Sequence, residues 1–433
     1  NQYVSLFAPG LSYVIMPGYL IGKSLGASQV GAFSIISLFA ILNVILLRAI
    51  AIKLGANQIA STIASLLFLF GTPAFAYGVN LYQHHVSTFL MLISLYALLR
   101  FKNIIALLIV FFAFACAIPL DYPNLFFLLP VAIYAGLQVF SFEEIKERLV
   151  FKINTFRLFT PLIMIIPMLF FLWFNNQSYG SPFHLLGGSS VTVAKKIAPD
   201  GKPIMANHKK DPTTPSISEN NGLRFFETRN LLNGMYIHFI SPDRGIIYYS
   251  PIILFGLIGL LLTFNKKIKL FPVFFAIIGM NILLYSMWGD PWGGWAFGSR
   301  YLIPSYAVLS IFIALLLTYW QKKTWFLLVF MVVGFYSIAV NTLGAVTTSA
   351  IPPQVEVLNL EKFSGIVEKF TYERSWDFLI AGKSKSFVWQ TFLKDYLSAL
   401  QFYEVLTISI FIVFSGILLY FSILPNRKGE KNV

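Results

Sequence analysis

The chain has 433 residues and a net charge of +14, and its composition is strongly apolar, with 57% hydrophobic residues, 12% charged residues and a mean hydropathy of +0.73. A soluble domain carries about twice that share of charged residues, so the composition excludes an ordinary soluble protein. The basic residues lie in the connections between apolar stretches. That placement favours membrane orientation and contact with membrane lipid, and it argues against a nucleic-acid partner.

Apolar windows that approach the length of a membrane-crossing helix recur along the whole chain, because a bilayer core needs about 20 helical residues. The windows are 29–50, 57–78, 84–100, 103–120, 123–142, 157–174, 246–264, 270–288, 301–320, 325–347 and 402–424. We therefore predict an all-α polytopic membrane protein with about 11 transmembrane helices. A cytoplasmic amino terminus with an even number of helices would require one more helix before Asn1, which makes about 12.

The lysines and arginines of alternate connections define the predicted orientation. On one side they are Arg48, Lys53, Arg100, Lys102, Lys146, Arg148, Lys152, Arg157, Lys266, Lys267, Lys269, Lys322, Lys323, Arg427, Lys428 and Lys431. The short connections on the other side, 79–83, 121–122 and 289–300, hold only Arg300. The positive-inside rule places the first set in the cytoplasm and predicts a multi-pass cell-membrane protein with extracytoplasmic long loops.

The same pattern divides the chain into six segments. They are an outer interfacial or re-entrant segment at 1–28, a helix bundle at 29–174, a large extracytoplasmic loop at 175–245, a second bundle at 246–347, an extracytoplasmic segment with short surface helices at 348–401, and a last helix with a basic cytoplasmic tail at 402–433.

Polar residues at the predicted outer ends of helices are the candidate site residues, because ionisable groups at membrane depth are costly. Tyr82-Gln83-His84-His85 begins one helix. Here His84 is a candidate acid or base, and Tyr82 and His85 are candidate substrate ligands; the alternative is an interfacial anchor. Adjacent side chains on a helix point about 100° apart, so we do not expect the two histidines to share a site.

Two further clusters follow along the chain. Asp121 stands before Tyr122-Pro123 and is a candidate catalytic base, although an N-cap for the helix at Pro123 is the alternative. Arg244 is a candidate phosphate ligand because its guanidinium donates to two oxygens, and Tyr249 is a candidate substrate contact. A simple turn around Arg244 is the alternative there.

The segment 288–301 is the most distinctive, since it holds three tryptophans and four glycines. Trp292 and Trp295 offer aromatic faces for a sugar ring or a prenyl chain, and the glycines let the backbone approach a ligand. Asp290 is a candidate catalytic residue and Arg300 a candidate substrate ligand. An aromatic belt explains the tryptophans alone, but not the glycines together with both charges.

No phosphate-binding loop, zinc-spaced Cys/His set or nucleophile elbow is present, so the sequence indicates no metal site and leaves a divalent-metal requirement open. Together, Phe7-Ala8-Pro9-Gly10-Leu11, Tyr82-x-His84, Asp121-Tyr122-Pro123, Arg244-Gly245 with Tyr249-Ser250-Pro251, and Trp292-Gly293-Gly294-Trp295 with Gly298-x-Arg300 form one ordered set. Over about residues 1–320 this set resembles the GT-C membrane glycosyltransferases, family 39-like, especially relatives of protein mannosyltransferases and aminoarabinose transferases.

That resemblance implies a polyprenyl-phosphate-linked sugar as donor, a protein or glycan acceptor, and inverting transfer at the outer face of the membrane. It also implies an acidic base in the first outer loop, whereas residues 1–28 contain no Asp or Glu. Two other functions stay open. A transporter for a lipid-linked substrate would favour charges deep within spans, and a non-catalytic scaffold of a larger complex would suit the large loops.

Overall fold

The computed structural model describes residues 8–145, 148–183, 194–197, 203–205, 226–365 and 367–423. Helices make up most of this part of the chain, as the composition predicts. The α-helices are α1 Gly10–Ser24, α2 Ser28–Lys53, α3 Gln58–Phe70, α4 Ala74–Gly78, α5 His84–Arg100, α6 Ile104–Ala117, α7 Asn124–Leu137, α8 Thr155–Leu158, α9 Ile165–Tyr179, α10 Leu231–Phe239, α11 Ile246–Tyr249, α12 Ile253–Thr263, α13 Phe271–Ser286, α14 Ile303–Trp320, α15 Thr324–Val346, α16 Gln354–Ser364, α17 Glu373–Ile380 and α18 Ala399–Ile423. Short 3-10 helices cover Thr160–Met164, Thr228–Asn230 and Arg300–Leu302, and a π-helical turn covers Trp389–Leu393.

Several of these helices indicate a membrane protein by their length and composition. Within the described residues, five are long and apolar enough to cross a bilayer: Ser28–Lys53, Thr155–Ser178, Arg300–Trp320, Thr324–Val346 and Ala399–Ile423. Shorter apolar helices are Gln58–Phe70, Ile104–Ala117, Asn124–Leu137, Ile253–Thr263 and Phe271–Ser286. Each of the apolar windows predicted from the sequence contains at least one helix.

The windows 57–78 and 123–142 differ from the prediction in detail, and the window 246–264 is also interrupted, between α11 and α12. The window 57–78 is interrupted between α3 and α4, where the Thr72 hydroxyl donates to the Phe68 carbonyl and accepts from the Ala74 amide. The window 123–142 was predicted as one helix, but α7 ends at Leu137 and a strand begins at Phe140. Phe140 and Phe142 alternate with a polar residue, a pattern that suits a strand better than a helix.

Two short antiparallel strand pairs therefore accompany the helices. Strand β1, Phe140–Ile145, pairs with β2, Arg148–Ile153, and β3, Ala194–Ile197, pairs with β4, Pro203–Met205. The predicted all-helical architecture did not include them. Residues 184–193, 198–202 and 206–225 of the predicted 175–245 loop, and the predicted tail at 424–433, lie outside the described residues.

Helix α14 forms the centre of the bundle, and nearly all of its side chains are buried. Glycines of α12 allow the two helices to approach closely, since a Cβ added at Gly256 would lie 2.6 Å from the carbonyl oxygen of Leu309. Such small-residue contacts are typical of helices that pack inside membranes. This packing fixes the position of α14, and it therefore also fixes the end of the connection between α13 and α14.

Helix α1 lies where the sequence predicts a short interfacial or re-entrant helix. It packs antiparallel on α2 through Gly18 and Gly31, whose backbones are in direct contact. The Gly10 amide donates to the Pro119 carbonyl at 2.8 Å, so α1 is also tied to the connection between α6 and α7. The short helices predicted within 348–401 are present as α16 and α17.

Four connections meet at one end of the bundle, which we call the site end. They are 79–83, 118–123, 240–245 and 287–299. The Phe297 amide donates to the Tyr77 hydroxyl at 2.9 Å and Gln83 contacts Asp121, so these connections are held against one another. The site end carries every candidate site residue identified in the sequence.

Candidate functional site

Asp121 lies between α6 and α7, and its side chain does not cap the following helix. The N-cap position of α7 is Pro123, which makes no side-chain hydrogen bond. Instead, the Asp121 carboxylate accepts a hydrogen bond of 2.9 Å from the Gln83 amide. Burial raises the pKa of Asp121 to about 6, although the Gln83 hydrogen bond and the charge of Arg300 act in the opposite direction. Asp121 is therefore a carboxylate with a pKa suited to proton transfer near neutral pH.

Arg300 lies among tyrosine rings. Its guanidinium carbon is 4.8 Å from the centroid of the Tyr82 ring and 5.5 Å from that of Tyr301. Tyr301 in turn stacks on Tyr285, with ring centroids 4.2 Å apart. The Nε atom of Arg300 is buried without a hydrogen-bond partner, and no carboxylate of the described residues lies within 4.0 Å of the guanidinium. Arg300 is thus a largely enclosed cation without a counter-ion among these residues.

His84 belongs to the same cluster. Its ring is nearly parallel to that of Tyr82 at 6.0 Å between centroids, and the Tyr77 ring lies perpendicular to it at 5.8 Å between centroids. The His84 Nε2 atom is buried and has no hydrogen-bond partner. Tyr82, His84, Asp121 and Arg300, all candidates from the sequence, therefore converge, and we call these four residues the Arg300 cluster.

His85 points away from His84, as the helical spacing predicts. Its Nε2 atom is 2.8 Å from the Ala74 carbonyl oxygen, and its Nδ1 atom is 3.3 Å from the Asn43 amide nitrogen. Both ring nitrogens are engaged by the protein, so the geometry assigns His85 to the packing of α5 against α2 and α4. It does not bring His85 to the cluster as a substrate ligand.

Arg244 is fully buried, and its guanidinium is engaged by backbone carbonyls. It donates to the carbonyl oxygens of Trp292, Gly294, Ile351 and Asp243 at distances between 2.7 and 3.0 Å. The phosphate-ligand role expected for Arg244 is therefore not supported by its geometry. Arg244 instead holds the connection 287–299, which we call the glycine-rich connection, against the rest of the site end.

The glycine-rich connection closes over Arg300 by means of its backbone conformation. Gly293 and Gly294 have φ values of 71° and 62°. The exposed Asp290 carboxylate accepts the Gly294 amide at 2.7 Å, which stabilises this turn. A Cβ added at Gly293 would lie 3.2 Å from the Arg300 Nε atom, so the turn itself forms one wall of the cluster. Asp290 thus supports the loop, which is a different role from the catalytic one expected.

The two candidate tryptophans lie on the outer side of this turn. Trp295 donates from Nε1 to the Glu356 carboxylate at 2.8 Å, and the Arg374 guanidinium lies 5.1 Å from its ring. Trp292 lines a groove of about 400 Å³ beside α16. Tyr249, also a candidate, is fully buried and packs on Phe297 in the core. These three residues frame the connection but do not belong to the Arg300 cluster.

Sequence reasoning did not select several residues that complete the cluster. Gln83 and Tyr301 are neighbours in sequence of candidate site residues, and only that adjacency could have indicated them. Tyr77 and Tyr285 lie in otherwise apolar helices, where a single tyrosine carries no distinctive pattern. Their positions could only come from the packing of α4 and α13 against the site end.

The described residues contain no group of three or more His, Cys, Asp or Glu side chains that could hold a metal ion. The Arg300 cluster itself offers an enclosed guanidinium, a carboxylate of raised pKa and an imidazole whose Nε2 atom has no hydrogen-bond partner. No family model, curated protein or solved structure matches this chain.

Proposed function

We propose that this chain is a GT-C-type membrane glycosyltransferase that moves a sugar from a polyprenyl-phosphate donor to an acceptor at the extracytoplasmic face. The observation that carries the proposal is Arg300, an enclosed guanidinium with an unpartnered Nε atom and tyrosine rings as neighbours. Enclosing an unpaired cation costs free energy unless an anion binds to it, and the phosphate of a lipid-linked sugar supplies that anion.

The transfer follows from the two charges of the cluster. The Asp121 carboxylate takes the proton of the acceptor hydroxyl, and the resulting oxygen attacks the anomeric carbon of the donor sugar. The bond between that carbon and the phosphate oxygen breaks, and its electron pair leaves with the phosphate. Arg300 stabilises the charge that develops on the leaving phosphate. His84 is the alternative proton acceptor, because its Nε2 atom is unpartnered and faces the same cluster.

An apolar groove between α7 and α13 supports a lipid-borne substrate. It has a volume of about 370 Å³ and is lined by residues such as Ile133, Tyr134 and Met280. Helix α13 continues from this groove to Tyr285, which stacks on Tyr301 in the wall of the cluster. A prenyl chain in the groove would therefore bring its phosphate toward Arg300.

The proposed topology has about 11 membrane crossings, with the site end extracytoplasmic. The ends of α2, α5 and α14 that lie away from the site end carry cations, and the connections at the site end carry few. This distribution is the one expected if the positive-inside rule sets the orientation.

The test is transfer by the purified chain in lipid nanodiscs. Candidate polyprenyl-phosphate sugars are supplied, and mass spectrometry follows the sugar to peptide and glycan acceptors. We expect Arg300→Ala to abolish transfer while the thermal unfolding temperature is unchanged, and Arg229→Ala, at an exposed position, to serve as the matched control. Near-normal transfer by Arg300→Ala would remove Arg300 from the mechanism. Movement of intact donor across the membrane without sugar transfer would indicate a transporter instead.

A further inference from the structure

We propose that the end of the bundle opposite the site end carries a binding site for the headgroups of anionic phospholipids, formed by two neighbouring lysine-rich connections. The first connection, between α12 and α13, contains Lys266, Lys267 and Lys269, and the second, between α14 and α15, contains Lys322 and Lys323. All five lysines are exposed. We call them the lysine patch.

The two connections lie side by side because the helices before them are packed together. A Cβ added at Gly259 of α12 would contact the backbone of Phe312 in α14, so these helices touch along their lengths. The contact extends to their ends, where the Lys266 ammonium lies 3.1 Å from the centroid of the Tyr319 ring. Lysines from two connections thus present one continuous basic surface.

Aromatic side chains hold part of this surface in place. The Lys323 ammonium is 4.3 Å from the Trp320 ring, and Trp320 lies 6.0 Å from the ring of Trp325. Tyrosine and tryptophan at helix ends prefer the headgroup level of a bilayer. An ordered lysine loses less side-chain entropy when it binds a ligand. Lys266 and Lys323 are therefore held by rings that favour the depth of the lipid headgroups.

The backbone of the first connection is also fixed. Leu270 has a φ of 62°, the only positive φ of a non-glycine residue in the described part of the chain, and its side chain is buried. This conformation costs about 1 kcal/mol and persists only where packing determines it. The turn therefore presents Lys266, Lys267 and Lys269 from a defined position.

Within the described part of the chain, no carboxylate forms an ion pair with a lysine of the patch. The ion pairs among the described residues join Lys369 to Asp377 and Arg374 to Glu368, both at the site end. Five positive charges beside an aromatic belt complement the phosphate of an anionic lipid, and clusters of four to eight basic residues next to membrane helices bind such headgroups. The occupant is therefore a phospholipid with a net negative charge, such as phosphatidylglycerol.

The experiment measures binding of fluorescent phosphatidylglycerol to the purified full chain in detergent. Lys266, Lys267 and Lys269 are changed together to Gln, and the matched control changes the exposed site-end lysines Lys362, Lys383 and Lys394 to Gln. We expect the patch variant to bind about tenfold more weakly and the control to bind like the wild type. Unlabelled phosphatidylglycerol should compete with the probe, whereas phosphatidylcholine should not.

A second variant guards against a folding defect. Changing the same three patch lysines to Arg keeps the charge and should retain binding. Equal loss in the patch and control variants would overturn the proposal, since it would indicate a general charge effect. Competition by inorganic phosphate as strong as that of the lipid would also overturn it, because the site would then recognise free phosphate. The outcome does not depend on sugar transfer.

Discussion

Replacing Arg244 with Met should mainly lower stability, whereas replacing Arg300 with Met should mainly abolish activity. Arg244 makes four hydrogen bonds to carbonyl oxygens, three of them to residues distant in sequence. Hydrogen bonds to a charged group contribute about 1.5–3 kcal/mol each, but neighbouring bonds are not additive. We therefore expect Arg244→Met to lower the free energy of unfolding by about 3–5 kcal/mol.

Arg300→Met removes a cation that has no such carbonyl ligands and one side-chain hydrogen bond, to Tyr301. The variant loses contacts with the Tyr82 and Tyr301 rings, worth about 0.5–2 kcal/mol, and it also removes the cost of enclosing an unpaired charge. These effects oppose each other, so the free energy of unfolding should change by no more than about 1 kcal/mol. Sugar transfer, by contrast, should fall to background, because the leaving phosphate loses its cation.

Thermal unfolding followed by tryptophan fluorescence, in one detergent, separates the two cases. We expect the midpoint of Arg244→Met to fall by about 5 °C or more and that of Arg300→Met to stay within about 2 °C of the wild type. Arg229→Met, at an exposed position, controls for loss of a charge. If Arg300→Met proves as unstable as Arg244→Met, Arg300 has a structural partner and the argument for an open anion site fails.

Three further results should follow from the geometry of the cluster. Transfer should decline as the pH falls below about 6, because Asp121 then becomes protonated. Gln83→Leu should move that decline to higher pH, because the substitution removes a hydrogen bond that lowers the pKa of Asp121. An unshifted pH profile would count against Asp121 as the base. Gly293→Ala should reduce transfer strongly, because a Cβ is strained at a φ of 71° and would also contact the Arg300 Nε atom. Steady-state kinetics measure this effect, and wild-type kinetics in the variant would argue against the turn as a wall of the site. Asp290→Asn should retain most of the activity, because its side-chain oxygen can still accept a hydrogen bond from the Gly294 amide. Asp290→Ala should lose more activity, because it removes that acceptor. Equal loss in both variants would support a catalytic role for Asp290.

The sequence predicted the helices well because apolar runs of that length have few other stable forms. It could not predict where a run breaks. The interruption before α4 depends on the Thr72 hydroxyl, which replaces backbone hydrogen bonds locally. The strand pair after α7 was missed for a related reason, since Phe140 and Phe142 extend the apolar run although they belong to a strand.

The candidate site was only partly predictable from the sequence. Tyr82, His84, Asp121 and Arg300 were selected from local patterns, and they do converge. Arg244 matched the same criterion as Arg300, namely an arginine in a connection at a helix end, yet its guanidinium is saturated by carbonyls. The two arginines differ only in what surrounds them, and that depends on how distant connections pack.

The spacing of the two opposite charges in the cluster bears on the proposed transfer from a sugar phosphate. The charge of Arg300 lowers the pKa of Asp121, so the groups interact, but they are not within the 4.0 Å of an ion pair. A direct ion pair would satisfy both groups and leave neither for a ligand. Here Gln83 engages the carboxylate from one side, and tyrosine rings engage the guanidinium. In the proposed inverting transfer the base and the phosphate ligand act on opposite sides of one carbon, and two charges that are not joined as an ion pair are compatible with a substrate between them.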